Sequence, residues 1–294
     1  EIHHAMVVDA IKSMDLAAQS GTTQHSTTLT LAKLAADKQS CEAIIGADGV
    51  HHVVKAMQGH SGLTEVQENG SFLLLKLSDH YEYRTAIPSE EVVHVVLQMM
   101  RSHTSNGNLL ENGCVLLSRF YKGNESTLLG ADGVSLVIEA MRHDVFRVRL
   151  LKCACWLLGN LAYENGDCYK AIVAADGIPV VVSTMRHNME HSKVQVEGCR
   201  ALAMLAYERN EHVCHQIASG GLEVVMDAME CHKSNEDVQK YSCWVFQYVA
   251  ESSSVNGIEI REKGGVRLIQ RAQSSFPGLA WDAKSALRPL GLRG

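Results

Sequence analysis

The chain has 294 residues, of which 46% are hydrophobic and 5% aromatic, with four prolines and a formal net charge of −6. The acidic balance speaks against nucleic acid as a partner, because phosphate binding runs on an excess of Lys and Arg. Few aromatics and prolines exclude a β-sandwich, and no apolar run reaches the roughly 20 residues of a bilayer-spanning helix, so no membrane insertion is expected.

Taken in chain order, the pattern is helical throughout. Val7, Val8, Ile11 and Met14 mark one apolar stripe, and Thr27 to Ala35 form a second helix. With the polar stretch from Gln19 to Thr30, this reads as a partial, capping repeat over about residues 1–36. From there a turn followed by an apolar helix recurs every 42 to 44 residues. The anchors are Ala47-Asp48-Gly49-Val50, Glu90-Glu91-Val92, Ala131-Asp132-Gly133-Val134, Ala175-Asp176-Gly177-Ile178, Gly220-Gly221-Leu222 and Gly264-Gly265-Val266. A period of that length on a helical pattern means a stacked solenoid. Six full repeats follow the partial one, making residues 1–294 a single array.

The stretch from Gly166 to Glu208 shows the unit most clearly. A short helix through Tyr169 and Ile172 stops at Ala175-Asp176-Gly177, where glycine is expected to take the left-handed conformation. Pro179 then stands in the first turn of a second helix that ends near His187. A polar loop from Asn188 to Lys193 leads to a longer third helix, Val194 to Tyr207. On the third helices a small residue and its neighbour recur in register: Gly70-Ser71, Gly113-Cys114, Ala154-Cys155, Gly198-Cys199 and Ser242-Cys243. Met57, Met99, Met141, Met185 and Met229 close the second helices as core filler. His60, His103, His143, His187 and His232 follow them, where an imidazole can bond orphan helix carbonyls. At the far end Pro289 cuts the last helix short, with Leu287 and Leu290 covering the final core.

Ala154-Cys155-Trp156-Leu157-Leu158-Gly159-Asn160-Leu161-Ala162, followed by Ala171-Ile172 and Ala175-Asp176-Gly177-Ile178-Pro179, resembles the armadillo repeat. The same skeleton runs through nearly the whole chain. The resemblance implies an all-α fold, a right-handed superhelical solenoid of armadillo-type three-helix repeats, with third helices lining a concave groove. It also implies a binding mode in which an Asn on the third helix grips a peptide backbone and a Trp one turn earlier frames side-chain slots. Carried to the other repeats, the Asn position holds Lys33, Lys76, Arg119, Asn160, Met204 and Tyr248. The Trp position holds Leu29, Phe72, Val115, Trp156, Arg200 and Trp244.

Only one repeat has both Trp and Asn, so the regular ladder of nuclear-import adaptors is missing. Lys33, Lys76 and Arg119 read either as a basic stripe for an acidic or extended segment or as solvated surface. Trp156 and Trp244 either face the groove or plug gaps between repeats. With Phe72, Asn160, Arg200, Met204 and Tyr248 they make up the candidate groove.

No nucleotide-binding glycine loop, HExxH or CxxC occurs, and no local array supports a nucleophile and base, so no enzyme, metal or cofactor is expected. Nine cysteines, mostly beside apolar residues in predicted helices, suit a cytoplasmic or other reducing compartment. The opening Glu1-Ile2-His3-His4, without Met, reads as a fragment or processed product. The expected function is a non-enzymatic protein-protein interaction scaffold. An architectural subunit of a large assembly and a regulatory module of a larger protein stand beside it, ahead of a peptide receptor of the nuclear-transport type.

Overall fold

The computed structural model describes residues 2–292; Glu1, Arg293 and Gly294 lie outside the described residues. Regular structure among the described residues is entirely helical, and the chain divides into two compact bodies, Glu1–His143 and Asp144–Gly294. No single helix among them is long and apolar enough to cross a membrane.

The N-terminal body opens with α1 (Ile2–Leu16) and α2 (Gly21–Leu34), the two helices of the partial repeat. The first full repeat is α3 (Lys38–Gly46), α4 (Gly49–Gly59) and α5 (Thr64–Asp79). The second is α6 (Tyr81–Arg84), α7 (Ser89–Ser102) and α8 (Gly107–Phe120), and α9 (Glu125–Gly130) and α10 (Gly133–His143) begin a third. Third helices pack side by side as α2, α5 and α8, and second helices as α1, α4 and α7.

The C-terminal body begins with α11 (Val148–Glu164), the third helix of the third repeat. α12 (Gly166–Ala174), α13 (Gly177–His187) and α14 (Ser192–Ala206) form the fourth repeat, and α15 (Glu211–Cys231) and α16 (Glu236–Ser252) the fifth. The sixth is α17 (Ser254–Glu262), α18 (Gly265–Ser275) and α19 (Ala280–Leu287), closed by a one-turn segment, Arg288–Leu290. Within this body α14 lies between α11 and α16, and α16 packs on α19. Leu287 and Leu290 are buried.

The turn between first and second helices differs from expectation. Asp48, Asp132 and Asp176, not the glycines after them, take the left-handed backbone, with φ of 56°, 49° and 57°. A short polar side chain tolerates that region better than most. The following glycine answers a different constraint, close approach. A Cβ on Gly49 would fall 2.8 Å from the Ile44 carbonyl oxygen, and one on Gly133 2.9 Å from that of Leu128. In the sixth repeat Gly264 takes φ 87° and Gly265 the crowded place.

The fifth repeat has no such turn. Gly220 and Gly221 lie inside the continuous helix α15, because Val213, Cys214, Ile217, Ala218, Gly221, Leu222 and Val225 form one unbroken buried stripe of helical period. Each glycine costs about 1 kcal/mol there relative to alanine, and Gly221 lets Val182 approach to 3.2 Å of where its Cβ would be.

The small residues of the third helices also have a specific use. Side chains on Gly70, Gly113 and Gly198 would collide with Met57, Met100 and Met185 of their own second helices, so the methionines fill the missing volume. Met100, adjacent to the expected Met99, makes this contact in the second repeat. Direct backbone approach between third helices occurs at Gly159, whose Cβ would stand 3.1 Å from the Ala201 Cα.

Two sets of side chains tie second helices to their surroundings. A buried glutamine one turn into the third helix donates to carbonyls at the end of the second. Gln24 bonds Met14 and Ala17, Gln67 bonds Met57 and His60, Gln195 bonds Met185 and Asn188, and Gln239 bonds Met229 and His232. The histidines after the second helices reach further than their own helix ends. His60 Nε2 donates to the Ala18 carbonyl at 2.9 Å, His103 to Ser61 at 2.7 Å and His232 to Met189 at 2.6 Å, each in the preceding repeat. A carbonyl can only accept, so Nε2 carries the proton in all three. Asn188 does the same to Val145, whereas His187 bonds Ser183 in its own helix.

Candidate partner-binding site

Third-helix residues reach the protein surface where their stripe turns away from the second helices. In the N-terminal body Lys33 is exposed near the end of α2. On α5 the Lys76 ammonium lies 5.1 Å from the centre of the exposed Phe72 ring, a cation–π contact. Arg119 is committed elsewhere. Its guanidinium donates to the Leu75 carbonyl at 2.8 Å, to Ser78 Oγ at 2.6 Å and to the Asp79 carboxylate. It therefore caps the C-terminal end of α5, and its charge is met by Asp79. Val115 is buried. The expected three-residue basic stripe reduces to Lys33 and Lys76.

In the C-terminal body the candidate residues gather on α11, α14 and α16. Asn160 is buried; its Nδ2 donates to the Trp156 carbonyl at 3.0 Å, and its Oδ1 accepts from Arg200 Nη2 at 2.6 Å. Arg200 also lies over the Trp156 ring, 5.7 Å from its centre. Trp156, Asn160 and Arg200 are thus one cluster, with the amide occupied by the guanidinium. On α16, Lys240 stands 5.2 Å over Trp244, Tyr241 meets Trp244 edge to face, and the Trp244 indole N–H donates to Asp282 Oδ1 at 2.6 Å. Met204 is buried and belongs to the core. Trp156 and Trp244 are each partly buried and lie beside a cation.

Glu197, beside this cluster, approaches Arg200 at 3.7 Å. Burial outweighs Arg200 and Lys152 and pushes its carboxyl above the ordinary value, with a smaller push from Asp237. A carboxyl raised in the fold contributes stability in full below its unfolded pKa, and that contribution is lost as pH rises through the raised value. Glu197→Gln is expected to match the wild type near about pH 4 and to be the more stable at about pH 7. Urea melts across that range decide it; equal stability at neutral pH would show no destabilising carboxylate.

Sequence reasoning named Tyr248 and missed its companions. Tyr163 of α11, Tyr207 just past the end of α14 and Tyr248 of α16 form a strip, their rings edge to face at 5.1 and 5.5 Å. Arg209 lies against Tyr207 and Tyr248 at 5.6 and 4.9 Å. The recurring tyrosine one turn beyond the Asn position, Tyr163 and Tyr207, was the available signal.

None of the nine cysteines forms a disulfide, and burial pushes the Cys199 and Cys243 thiols up to about 12. The seven buried ones behave as apolar filler.

No protein-family model and no curated protein matches the chain. Solved structures do. A chain from work showing that "a conserved phosphorylation switch controls the interaction between cadherin and beta-catenin" aligns with a TM-score of 0.63 at 13% identity, over 99% of this chain and 61% of that one. A designed armadillo repeat protein aligns at 0.52 and 15% identity over 97% and 99%. The fold is an armadillo-type repeat fold. A further engineered protein aligns at 0.51 and 22% identity, over 97% of this chain and 96% of its own. The armadillo skeleton accounts for the three-helix repeats of both bodies.

Proposed function

We propose that the chain is a non-enzymatic scaffold that holds an acidic, extended segment of a partner protein along its third helices, within a reducing compartment. The observation that carries this reading is the pairing of partly exposed aromatics with cations on α11, α14 and α16: Trp156 with Arg200, and Trp244 with Lys240. Lys152 and Lys240 precede the two tryptophans by four residues, one helical turn on the same face. A cation lying on an aromatic ring offers a carboxylate a charged contact and neighbouring methylenes a flat apolar one. In the N-terminal body Phe72, Lys76 and Lys33 repeat the combination at lower density.

Asn160 supports this chemistry differently from a backbone grip, since its carbonyl oxygen aims Arg200. Selection of peptides from a random display library on the whole chain tests the reading. Enrichment in Asp and Glu is expected, with binding of the selected peptides weakened by about 2 kcal/mol or more in Trp156→Ala/Trp244→Ala. The variant should first be shown to melt like the wild type. No enrichment, or equal binding by the variant, would overturn it and favour an architectural subunit that uses its convex face and ends.

A further inference from the structure

Arg209 holds a backbone conformation that the same chain elsewhere gives to glycine. The loop after α8 reads Tyr121-Lys122-Gly123-Asn124-Glu125, and the loop after α14 reads Tyr207-Glu208-Arg209-Asn210-Glu211. In both, the Asn begins the next first helix, and the residue before it is left-handed: Gly123 at φ 83° and Arg209 at φ 53°. The other non-glycine residues with positive φ are the aspartates of the inter-helix turns. A long side chain is disfavoured there, so a glycine would serve the turn better.

What the arginine adds is a fixed cation. Its guanidinium is laid against Tyr207 and Tyr248, Nη1 donates to the Tyr207 carbonyl, and Nε donates to Glu251 Oε2 at 2.7 Å. Those bonds leave the Nη2 hydrogens and one on Nη1, the end of the fork that takes a carboxylate side by side. The side chain is 41% exposed. Glu251 is shared with Arg288, 3.7 Å away, so two cations face one carboxylate at this edge. Beside it the tyrosine strip runs on to Tyr163, which is 54% exposed.

We propose that Arg209 receives a carboxylate of an acidic partner segment whose apolar side chains lie along Tyr163, Tyr207 and Tyr248. This rests on the scaffold reading above and names a contact at the ends of the third helices, away from the Trp156 and Trp244 cluster. An open hollow whose lining includes Asn210, Glu211, His212, His215 and Ser253 adjoins the arginine and gives the segment room to continue, with Glu211 disfavouring a second acidic residue of the segment inside it.

Arg209→Gly separates a binding role from a structural one, because it relaxes the backbone while removing the guanidinium. The probes are a short labelled peptide of alternating Glu-Glu and Leu-Leu blocks and its counterpart with Gln for Glu. The wild type is expected to bind the Glu peptide at least about tenfold more tightly than Arg209→Gly does, the worth of a charge-assisted contact. Arg209→Gly should melt no lower than the wild type, Arg209→Lys should bind in between, and the Gln peptide should not tell wild type from Arg209→Gly. A lower melt of Arg209→Gly, equal binding by both proteins, or no binding of the Glu peptide to the wild type would each overturn the proposal. Failure of the scaffold reading shows separately, as an absence of acidic peptides from the library selection on the whole chain.

Discussion

Replacing Gln195 with leucine is expected to destabilise the C-terminal body by about 1–3 kcal/mol, seen as a lower urea midpoint with unchanged slope. The Gln195 amide is fully buried and donates to the Met185 carbonyl at 2.9 Å and the Asn188 carbonyl at 2.8 Å. Both carbonyls lie at the end of α13 and its cap, where each also accepts one backbone N–H, from Asn188 and His191 respectively, so the glutamine fills the second lone pair of each. Leucine is the informative substitute because Leu110 and Leu151 hold the corresponding place in the second and third repeats, both buried. Its bulk therefore fits, and the loss falls on two buried hydrogen bonds, each acceptor keeping its backbone donor. An unshifted midpoint would mean that the backbone donors alone suffice for the two carbonyls and would remove the glutamine bond from the account of how second and third helices are joined.

The second large effect concerns two adjacent residues with opposite expectations. Gly133→Ala should cost about 1–3 kcal/mol, since its new methyl would meet the Leu128 carbonyl oxygen, Leu128 Cδ2 and Leu97 Cδ2, each at 2.9 Å. Asp132→Gly should change stability by less than about 1 kcal/mol, because the left-handed backbone that the aspartate tolerates suits glycine. If the glycine instead carried the turn's conformation, the order would reverse. Thermal melts of the two variants measured side by side distinguish the cases.

The repeat and its three-helix organisation were legible in the sequence because periodicity is a collective property. Six turn anchors, five small-residue pairs and five methionines report the same period, so no single misreading disturbs it. Local chemistry was less accessible where one residue can serve two needs. A glycine after an aspartate looks like the residue of the strained backbone, yet at Gly49 and Gly133 only the absence of a Cβ matters. The Gly220-Gly221 pair looked like another turn, and the stripe through Ile217 and Leu222 carries a helix across it.

The candidate surface was legible by register and not by partner. Arg119 and Lys76 occupy equivalent positions, but whether a cation is available depends on Asp79 and Ser78, which stand about 40 residues earlier and enter only through packing. Trp156, Asn160 and Arg200 were all named, while the bond that makes Arg200 the outward group and Asn160 its support needed coordinates. The buried glutamines were overlooked because a polar residue at the start of a helix ordinarily reads as surface.

The bonds from His60, His103, His232 and Asn188 have one asymmetry with a long reach. Each donor is a particular side chain, but each acceptor is a main-chain oxygen, which every residue type supplies. A repeat bearing such a donor thus asks its predecessor for a loop of the right shape and for no particular amino acid. Copies of one repeat can be duplicated, deleted or exchanged without matched changes on both sides of the joint. Such a chain can lengthen by gene duplication first and diverge in sequence afterwards, with its joints kept by half of the residues that form them.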